Sequence, residues 1–430
     1  MRKMRKWTGV ALAMVCIVAL VCVACAPATE TPIEKEKAIK IGLGVPLTGA
    51  AASSGYPMAE GTISYLKYIN DDFGGIEYRD PVSGETEKAR LDIMVGDTQF
   101  AVAATVTNYK RQQGAGAKAM IIAGASPVEA VANMAIRDQM PIVAQGGCMT
   151  RGLLELTPKY WTMASPETAG HVVPAMQLIS ETWTEARNPR IALMIADQPN
   201  SRGSFTEAVQ GNIIPSYAEK LGVDVVAIEW HPFTVTDASV ELTRLMKEEP
   251  DYIYLSSGAL NSTVVVLKDA FRLGFLDKVK IISWWGGSDE SLLQLAPEES
   301  EGMYGLVWVS LPSEDLPGIQ LAHRNMQKYY GHDATTNNIV GLVSAPAMVE
   351  GLKIALEEVG YENLTGAAIN DGLHSIKDLD TGGIWPLITV DPDHPVLVKS
   401  LRHFIIENGT IKPVGEWYEG PSFINEEFGF

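Results

Sequence analysis

The segment Ile39–Gly61, IKIGLGVPLTGAAASSGYPMAEG, decides how this chain folds. An apolar, β-branched run ends at Pro46 and is followed by a loop rich in Thr, Gly, Ala and Ser. A helical pattern then begins near Tyr56. A strand, a small polar loop and a helix N-terminus leave backbone N–H groups free to face a small ligand. The segment therefore predicts a small-molecule site near Ser53, Ser54 and Tyr56, although Tyr56 can equally pack on the surface.

Strand and helix patterns alternate along the rest of the chain. Strands are predicted at 39–45, 90–95, 119–122, 141–143, 190–195, 223–229, 252–255, 278–283 and 303–309. Helices are predicted at 61–69, 102–113, 128–137, 169–183, 204–221, 239–247, 264–273, 320–330 and 339–359, with a kink or break at Pro215. Several strands are almost wholly apolar, as in strands that helices cover on both faces. The alternation predicts a doubly wound α/β fold with parallel sheets.

The N-terminus has the pattern of an export signal. Met1–Lys6 carries four positive charges, the apolar segment Val10–Ala24 follows, and small residues precede Cys25. A basic start, a short apolar run and a small-residue cleavage site are typical of secretory signals. The run is shorter than the roughly 20 residues that a membrane span needs, so a permanent anchor helix is the weaker interpretation. We expect 1–24 to be a signal peptide and 25–37 a polar, unfolded tether.

Composition and charge exclude several kinds of protein. Most of the 430 residues follow the signal, and they suffice for two domains with cores. The net charge of −18 argues against nucleic acid or an anionic bilayer as a partner. Of the four cysteines, Cys148 alone lies within the predicted folded part, so no disulfide is expected there. Stability must then come from burial of apolar side chains.

Enzyme signatures are absent from the sequence. It contains no G-x-S-x-G, H-E-x-x-H or G-K-[ST] motif, and its seven histidines lack metal-ligand spacing. A G-x-G-x-x-A pattern at 114–119 precedes its strand instead of following one, so the dinucleotide-binding mechanism does not apply. We therefore expect no enzyme activity, no cofactor and no metal.

Several motifs in chain order resemble the branched-chain-amino-acid type of periplasmic binding protein. They are LTGAAASSG, GDTQF, AGASP, PIVAQGG, RIALMIADQ, PDYIYLSSG and DTGGIWPLITVDPDHP, and they extend over about 39–420. The resemblance implies a type I periplasmic binding protein fold, with two Rossmann-like lobes that three hinge crossovers join and that close on a ligand. It assigns 38–163 and 287–372 to lobe 1, and 164–286 and 373–430 to lobe 2.

The resemblance also implies a function and a location. The protein is expected to be an extracytoplasmic receptor that delivers a small solute to an ABC permease. A ligand sensor of the same fold, feeding a signalling partner, is the alternative. The cysteine at the cleavage site resembles a bacterial lipobox, although Cys22 stands where the family pattern prefers Leu. This implies lipidation of Cys25 and a place in the cell envelope or periplasm, with the lipid anchor as the membrane contact.

In the resembling family, hydroxyls and backbone amides of the first lobe hold the ligand carboxylate. Ala125 and Ser126 fit this role at a predicted helix start, where Ser126 can equally cap its own helix. The second such loop contains Gly146, Gly147 and Cys148. The family usually has Thr or Ser at the position of Cys148, and a thiol is a weak donor. Backbone amides are then the expected donors, and Cys148 is otherwise a small buried residue.

The second-lobe positions depart further from the family pattern. Arg202 stands nearest to an expected tyrosine, and its guanidinium suits a carboxylate. A solvated loop arginine or an ion pair explains Arg202 equally well. Ser257 and Gly258 occupy a loop in which the family often has aromatic residues. After the next strand, amino-acid binders place an acid for the ligand ammonium, whereas this chain has Trp284 and Trp285.

The two tryptophans suggest a different ligand class. Each offers flat apolar surface and one N–H donor, and each can alternatively pack beneath the hinge. Neighbouring strand residues point to opposite faces, so at most one of Trp284 and Trp285 is expected to face the ligand. Asp289 comes too late to pair with an ammonium and is expected to cap the next helix. Because a buried unpaired ammonium is costly, we expect an aromatic or aliphatic carboxylate, or an amide-like solute, more than a branched-chain amino acid.

Overall fold

The computed structural model describes residues 37–146, 151–166, 171–198, 201, 213–287 and 289–419. The side chains of Arg151, Leu154 and Ile213 are not described. Of the residues singled out above, Cys25, Gly147, Cys148 and Arg202 lie outside the described ranges.

Within these ranges, thirteen strands form two sheets. They are β1 (Ala38–Val45), β2 (Ile76–Arg79), β3 (Thr86–Asp97), β4 (Ala119–Ala123), β5 (Ile142–Gln145), β6 (Trp161–Met163), β7 (Arg190–Asp197), β8 (Asp224–Pro232), β9 (Tyr252–Ser256), β10 (Lys280–Ser283), β11 (Tyr304–Val307), β12 (Ser400–Glu407) and β13 (Thr410–Glu419). The first sheet has the order β2-β3-β1-β4-β5-β6, and the second has the order β13-β12-β11-β10-β9-β7-β8.

Helices connect most of these strands. They are α1 (Ala52–Phe73), α2 (Val102–Gly114), α3 (Ala125–Asp138), α4 (Arg151–Glu155), α5 (Val172–Thr182), α6 (Ile213–Leu221), α7 (Ser239–Met246), α8 (Leu260–Arg272), α9 (Leu292–Leu295), α10 (Pro317–Tyr330), α11 (Thr336–Leu342), α12 (Ser344–Val359) and α13 (Gly366–His374). We call the first sheet with the helices that pack on it the first lobe, and the second sheet with its helices the second lobe.

The centre of each sheet is parallel, as predicted. Strands β1, β3, β4, β5 and β6 run parallel in the first lobe, and β7 to β11 run parallel in the second. Central strands such as β4 and β9 are buried along their whole length, which agrees with helices on both faces. The α/β fold with two lobes is therefore confirmed.

The antiparallel edges were not predicted. Strand β2 pairs antiparallel with β3, and β12 pairs antiparallel with β11 and β13. The connection between β12 and β13 consists of Asn408 and Gly409, both with positive φ, as a two-residue hairpin turn requires. An Asn-Gly pair between two strand-like runs is the sequence signal that identifies this hairpin.

Two helix predictions need correction. The predicted helix at 339–359 is two helices, α11 and α12, with Val343 between them. The helix of the opening segment begins at Ala52, before the predicted start, and contains Pro57. The prediction for 204–221 is confirmed over Ile213–Leu221 only, because residues 202–212 lie outside the described ranges. The effect expected of Pro215 is therefore not decided.

The chain passes between the lobes three times, after β6, after β11 and after α13. These crossovers are bonded to one another. Met163 donates its N–H to Pro395 O at 2.8 Å, and Ser310 donates its N–H to Ile384 O at 2.9 Å. Strand β11 pairs in the second sheet although 287–372 was assigned to lobe 1, so the assignment differs for this strand. The other lobe boundaries stay predictions.

One helical stretch in the described part, Thr336–Val359, is long and apolar enough to cross a membrane. Of its most apolar window, 78% is buried inside the structure. This burial is that of a core helix in a globular protein.

Helices α1 and α11 of the first lobe are in direct backbone contact. A Cβ added to Gly61 would lie 1.9 Å from Asn338 O, and one added to Gly341 would lie 2.0 Å from Met58 O. The Thr62 hydroxyl donates to Gly341 O at 2.8 Å across the same contact. Because both neighbours are backbone atoms, no side-chain rotation can make room. This contact holds the first turns of α1 in place.

We expect Gly61→Ala to lower the stability of the protein by about 1–3 kcal/mol, because the new methyl group forces the two helices apart. The measurement is the melting temperature by calorimetry. Gly114→Ala is the matched control, since a Cβ there meets no atom within 4 Å and alanine favours a helix. Equal melting temperatures for the two variants would contradict the proposed contact.

Candidate functional site

A cavity of about 40 Å³ lies between the lobes, at the carboxyl ends of parallel strands. Open α/β sheets bind ligands at this end, where the loops between strands and helices meet. The first lobe lines it with Pro46, Ala51, Ser54, Gly55, Met58, Phe100, Ala123, Gly124, Ala125 and Gly146. The second lobe lines it with Gln198, Phe233, Gly258, Trp284 and Trp285. Both lobes therefore contribute to one enclosed space.

Three helices begin at this cavity without a side-chain cap. The N-caps of α1, α3 and α8 are Ala51, Gly124 and Ala259, and none makes a side-chain capping bond. Each helix follows a parallel strand of its sheet, which brings the helix starts to one place. The first N–H groups of a helix have no partner within the helix, and the helix dipole favours negative charge there. The arrangement suits an anionic or carbonyl group of a ligand.

Three serine hydroxyls stand at the same helix starts. Ser53, Ser54 and Ser126 have buried Oγ atoms with no hydrogen-bond partner among the described residues. Ser126 therefore does not act as a helix cap in this structure. Of the three, Ser54 lines the cavity, and Ser53 and Ser126 lie beside it in the first turns of α1 and α3. Tyr56 is 54% exposed and does not line the cavity.

Trp284 and Trp285 both line the cavity, although at most one was expected to do so. The expectation was wrong because strand β10 ends at Ser283, and Trp285 begins a short 3-10 turn in which strand alternation no longer applies. The two indole rings lie 5.4 Å apart between centroids. Their positions form a continuous aromatic wall.

This aromatic wall is backed by residues of the hinge. Trp308, in the second crossover, contacts Trp285 edge to face with centroids 4.5 Å apart. His171, at the end of the first crossover, lies 6.2 Å from Trp284 and 5.9 Å from Trp308. Burial lowers the pKa of His171 to about 3, so this ring is neutral near pH 7. The two tryptophans thus line the cavity and also pack against residues of the hinge.

The lining that the structure describes contains no charged side chain. Among the described residues, no group of three or more His, Cys, Asp or Glu side chains is placed to hold a metal ion. Polar character in the described lining comes from Ser54, Gln198 and backbone groups. Gln198 is itself held by a hydrogen bond to the Ser201 hydroxyl at 3.0 Å.

The predicted contact residues after β9 behave differently from each other. Ser257 is fully buried, and its hydroxyl bonds with Thr263 Oγ1 and Ala259 O, away from the lining. Gly258 lines the cavity, and the ring of Phe233 occupies the space that a side chain at Gly258 would need. The loop after β8 thus supplies the aromatic group that the loop after β9 lacks.

Phe100 and Phe233 are lining residues that sequence reasoning missed. Phe100 follows β3 in the first lobe, and Phe233 follows β8 in the second. Their rings stack across the cleft with centroids 5.5 Å apart and planes 15° apart. Phe100 is the first aromatic residue after the predicted strand 90–95, which is a signal that could have identified it, whereas Phe233 directly follows β8 only with the strand end that the structure shows, at Pro232. Their pairing across the lobes depends on tertiary structure.

The geometry now permits comparison with known proteins. The model of the periplasmic binding protein family matches residues 38–404, which is most of the chain. The chain belongs to the periplasmic binding protein family. No curated protein matches the sequence.

Solved structures share the fold at low sequence identity. A branched-chain amino acid ABC transporter protein from Thermus thermophilus with bound valine is 18% identical, with a TM-score of 0.75 over 90% of this chain and 97% of that one. A fatty acid ABC transporter substrate-binding protein from Thermomonospora curvata is 19% identical, with a TM-score of 0.73 over 89% and 93%. A Rhodopseudomonas palustris solute-binding protein in complex with 3,4-dihydroxybenzoic acid is 16% identical, with a TM-score of 0.72 over 91% and 100%. These TM-scores show that the chain shares their fold.

Asp289 of this binding protein is engaged outside the cavity. Its Oδ1 accepts hydrogen bonds from Ser291 N at 3.0 Å and Ser291 Oγ at 2.6 Å, at the start of α9. Its Oδ2 accepts from Asn337 N at 3.2 Å, at the start of α11 in the other lobe. The expected role as a helix cap is not observed, because Ser291 is the N-cap of α9 and no side chain caps this helix; the Asp289 carboxylate instead holds Ser291 and bridges the lobes.

Glu290 completes this bridge. Its carboxylate accepts from Thr336 N and Thr336 Oγ1, both at 2.8 Å. Burial, and secondarily the charge of Asp289, raise the pKa of Glu290 to about 7. Two neighbouring acids of the second lobe are thus bonded to the N-terminus of one helix of the first lobe.

We expect Glu290→Gln to become more stable relative to wild type as pH rises from about 5 to about 8. An unfolded glutamate loses its proton near 4.5, whereas folded Glu290 keeps it until about 7. Ionisation therefore costs folded stability progressively over this window, and the neutral glutamine removes that cost. The measurement is the difference in melting temperature between variant and wild type at both pH values.

The exposed Glu298→Gln is the matched control for the loss of one carboxyl group at a surface position. If the difference in melting temperature between Glu290→Gln and wild type stays constant or falls with rising pH, ionisation of Glu290 does not destabilise the folded protein.

Proposed function

We propose that this protein is a receptor that closes on a small organic acid or amide-like solute and delivers it to an ABC permease. The observation that carries the proposal is the enclosed cavity between the lobes, at which three uncapped helix N-termini meet. Delivery to a permease is supported by family membership, since the periplasmic binding protein family comprises solute-binding proteins.

The ligand carboxylate or carbonyl is proposed to bind at the starts of α1 and α3. The unpaired hydroxyls of Ser53, Ser54 and Ser126 supply donors there, in addition to backbone N–H groups. Backbone amides of Gly147 and Cys148, outside the described residues, are proposed to complete this end, and Arg202 is proposed as a further partner. Hydrogen bonds to a charged group contribute about 1.5–3 kcal/mol each.

The remainder of the ligand is proposed to be apolar. Trp284, Trp285, Phe100, Phe233 and Met58 line the rest of the cavity. Aromatic side chains bury large apolar areas and stack favourably on flat groups. A flat or compact hydrocarbon body satisfies this surface without leaving a polar group unpaired.

A free α-ammonium group fits this cavity poorly. The described lining has no carboxylate, and the nearest acid in sequence after β10, Asp289, is already bonded to Ser291 and Asn337. A buried ammonium without a counter-charge costs several kcal/mol. Solved relatives with the same fold bind valine in one case and 3,4-dihydroxybenzoic acid in another, and the lining here favours the second chemistry.

We expect aromatic or short aliphatic carboxylates to raise the melting temperature of the purified protein, and leucine and valine to leave it unchanged. A ligand present at 100 times its Kd stabilises the folded state by about 2.7 kcal/mol, which a thermal-shift screen detects. The screen should contain benzoate, 3,4-dihydroxybenzoate, butyrate, benzamide, leucine and valine.

Ser54→Ala and Ser64→Ala form a matched pair for any acid that binds. Ser54 has a free hydroxyl at the cavity, whereas the Ser64 hydroxyl donates to Gly61 O at 2.8 Å within α1. Weaker binding is expected for Ser54→Ala only. Tight binding of leucine or valine, with no response to the acids, would overturn the proposed ligand class.

We also propose that the protein is exported and held at the cell envelope by a lipid on Cys25. The basic and apolar start of the sequence and the cysteine after small residues support this proposal. The tether at 26–37 is rich in Pro and Glu, which suits a flexible spacer between a membrane and a folded receptor.

We expect the full-length protein, expressed in a bacterium, to partition into the detergent phase of a Triton X-114 extraction. Cys25→Ser should move it to the aqueous phase or leave it uncleaved, because no thiol remains for the lipid. Mass spectrometry of the mature N-terminus is the second measurement. An unmodified N-terminus beyond residue 25 in the wild-type protein would contradict lipidation.

A further inference from the structure

We propose that Phe100 and Phe233 determine ligand size, by closing on each other as a roof over the cavity so that the site selects compact acids over long-chain ones. The inference rests on the proposed function and deepens it, because it names the substrate class within the organic acids. Its basis is the geometry of two loops, one from each lobe.

The two rings meet directly across the cleft. Their centroids are 5.5 Å apart with planes 15° apart, which is an offset stack, and both rings line the cavity. Phe100 belongs to the first lobe and Phe233 to the second, so the contact exists only when the lobes are closed. Such a pair contributes about 0.5–1.5 kcal/mol beyond the area that it buries.

Each ring lies against a glycine. A Cβ on Gly124 would be 2.4 Å from Cε2 of Phe100, and a Cβ on Gly258 would be 2.5 Å from Cε2 of Phe233. These glycines have φ of +93° and +75°, which other residues rarely adopt. Each ring therefore occupies space that a side chain would fill if the glycine after the parallel strand were another residue. The same arrangement of a phenylalanine ring against a glycine occurs in both lobes.

The loop that carries Phe100 is held firmly. Phe100 and Gln99 have φ of +56° and +52°, a backbone conformation that costs energy for residues other than glycine. The Asp97 carboxylate holds this turn, because it accepts hydrogen bonds from Gln99 N and Leu47 N, both at 2.9 Å. The Thr48 hydroxyl donates to the same carboxylate. Phe100 thus lies in a turn that is hydrogen-bonded to the loop after β1.

The loop that carries Phe233 is held by one serine of α8. The Ser262 hydroxyl donates to Phe233 O at 2.9 Å and accepts from Val235 N at 3.1 Å. Ser262 is itself buried. Because hydrogen bonds hold both loops, the two rings that form the roof have defined positions when the lobes close.

The roof limits what fits beneath it. The cavity of about 40 Å³ is small, so a compact acid displaces its walls less than a long chain does. A longer chain must pass between the two rings, which separates them and exposes their faces. Only a long ligand separates the two rings, so only its binding free energy is reduced. The site therefore selects short acids over long ones.

The test measures binding of butyrate, hexanoate, octanoate and benzoate by isothermal titration calorimetry. The proteins are wild type, Phe100→Ala, Phe233→Ala and, in case a truncation impairs folding, Phe233→Leu. Phe271→Ala is the matched control, because Phe271 lies on α8 with 51% of its surface exposed. Melting curves of the unliganded variants establish that each is folded.

We expect wild type to bind butyrate or benzoate more tightly than octanoate. The affinity for octanoate relative to butyrate should rise by about tenfold in Phe100→Ala and Phe233→Ala, and should stay unchanged in Phe271→Ala. An unchanged ratio in both roof variants, with the acids still bound, would overturn this proposal alone. Selective loss of benzoate with unaltered butyrate binding would also overturn it, because the rings would then clasp an aromatic ligand between them. If wild type bound none of the acids, the proposed ligand class would fail, and this inference with it.

Discussion

The meeting of three helix starts at one cleft is the constraint on which the proposed site depends. Helices α1, α3 and α8 begin with Ala51, Gly124 and Ala259 as N-caps, none of which offers a capping side chain. The first N–H groups of a helix have no partner within the helix, and the helix dipole favours negative charge beside them. This arrangement suits the anionic or carbonyl group of the proposed ligand.

The hinge and the cavity share one aromatic cluster. Trp284 and Trp285 face the cavity, while Trp308 and His171 belong to or adjoin the crossovers. A ligand that contacts the two lining tryptophans is thus one packing layer from the segments about which the lobes move. The same rings form the wall of the site and pack against the hinge. A ligand that contacts these rings therefore acts directly on the packing of the hinge.

Much of the fold could be predicted because its signals are local. The runs that became β4, β7 and β9 are apolar over the length of a strand, and period and length alone identify them. The antiparallel edges were overlooked although Asn408 and Gly409 mark one hairpin. The helical pattern that became α11 and α12 was treated as one element because its apolar pattern continues through Val343, although Gly341 and Pro346 flank the break.

The candidate site was predicted in part, for a related reason. Ser54, Ala125, Gly146 and Gly258 follow strands in the sequence, and parallel strands bring such positions to one edge of a sheet. The orientation of Trp284 and Trp285 was mispredicted, because the end of β10 could not be located to the residue from the sequence.

The sequence by itself determined the class of fold and the strand ends at which the proposed site lies, and it has no acid directly after Ser283, where the resembling family would have one. These properties reside in single segments or in their order along the chain. The tertiary structure alone decided that Phe233 fills the space left by Gly258, that it stacks on Phe100, and that Asp289 is engaged by another lobe. Each of these contacts joins residues far apart in sequence, and their distance depends on how two sheets pack, which no local pattern encodes.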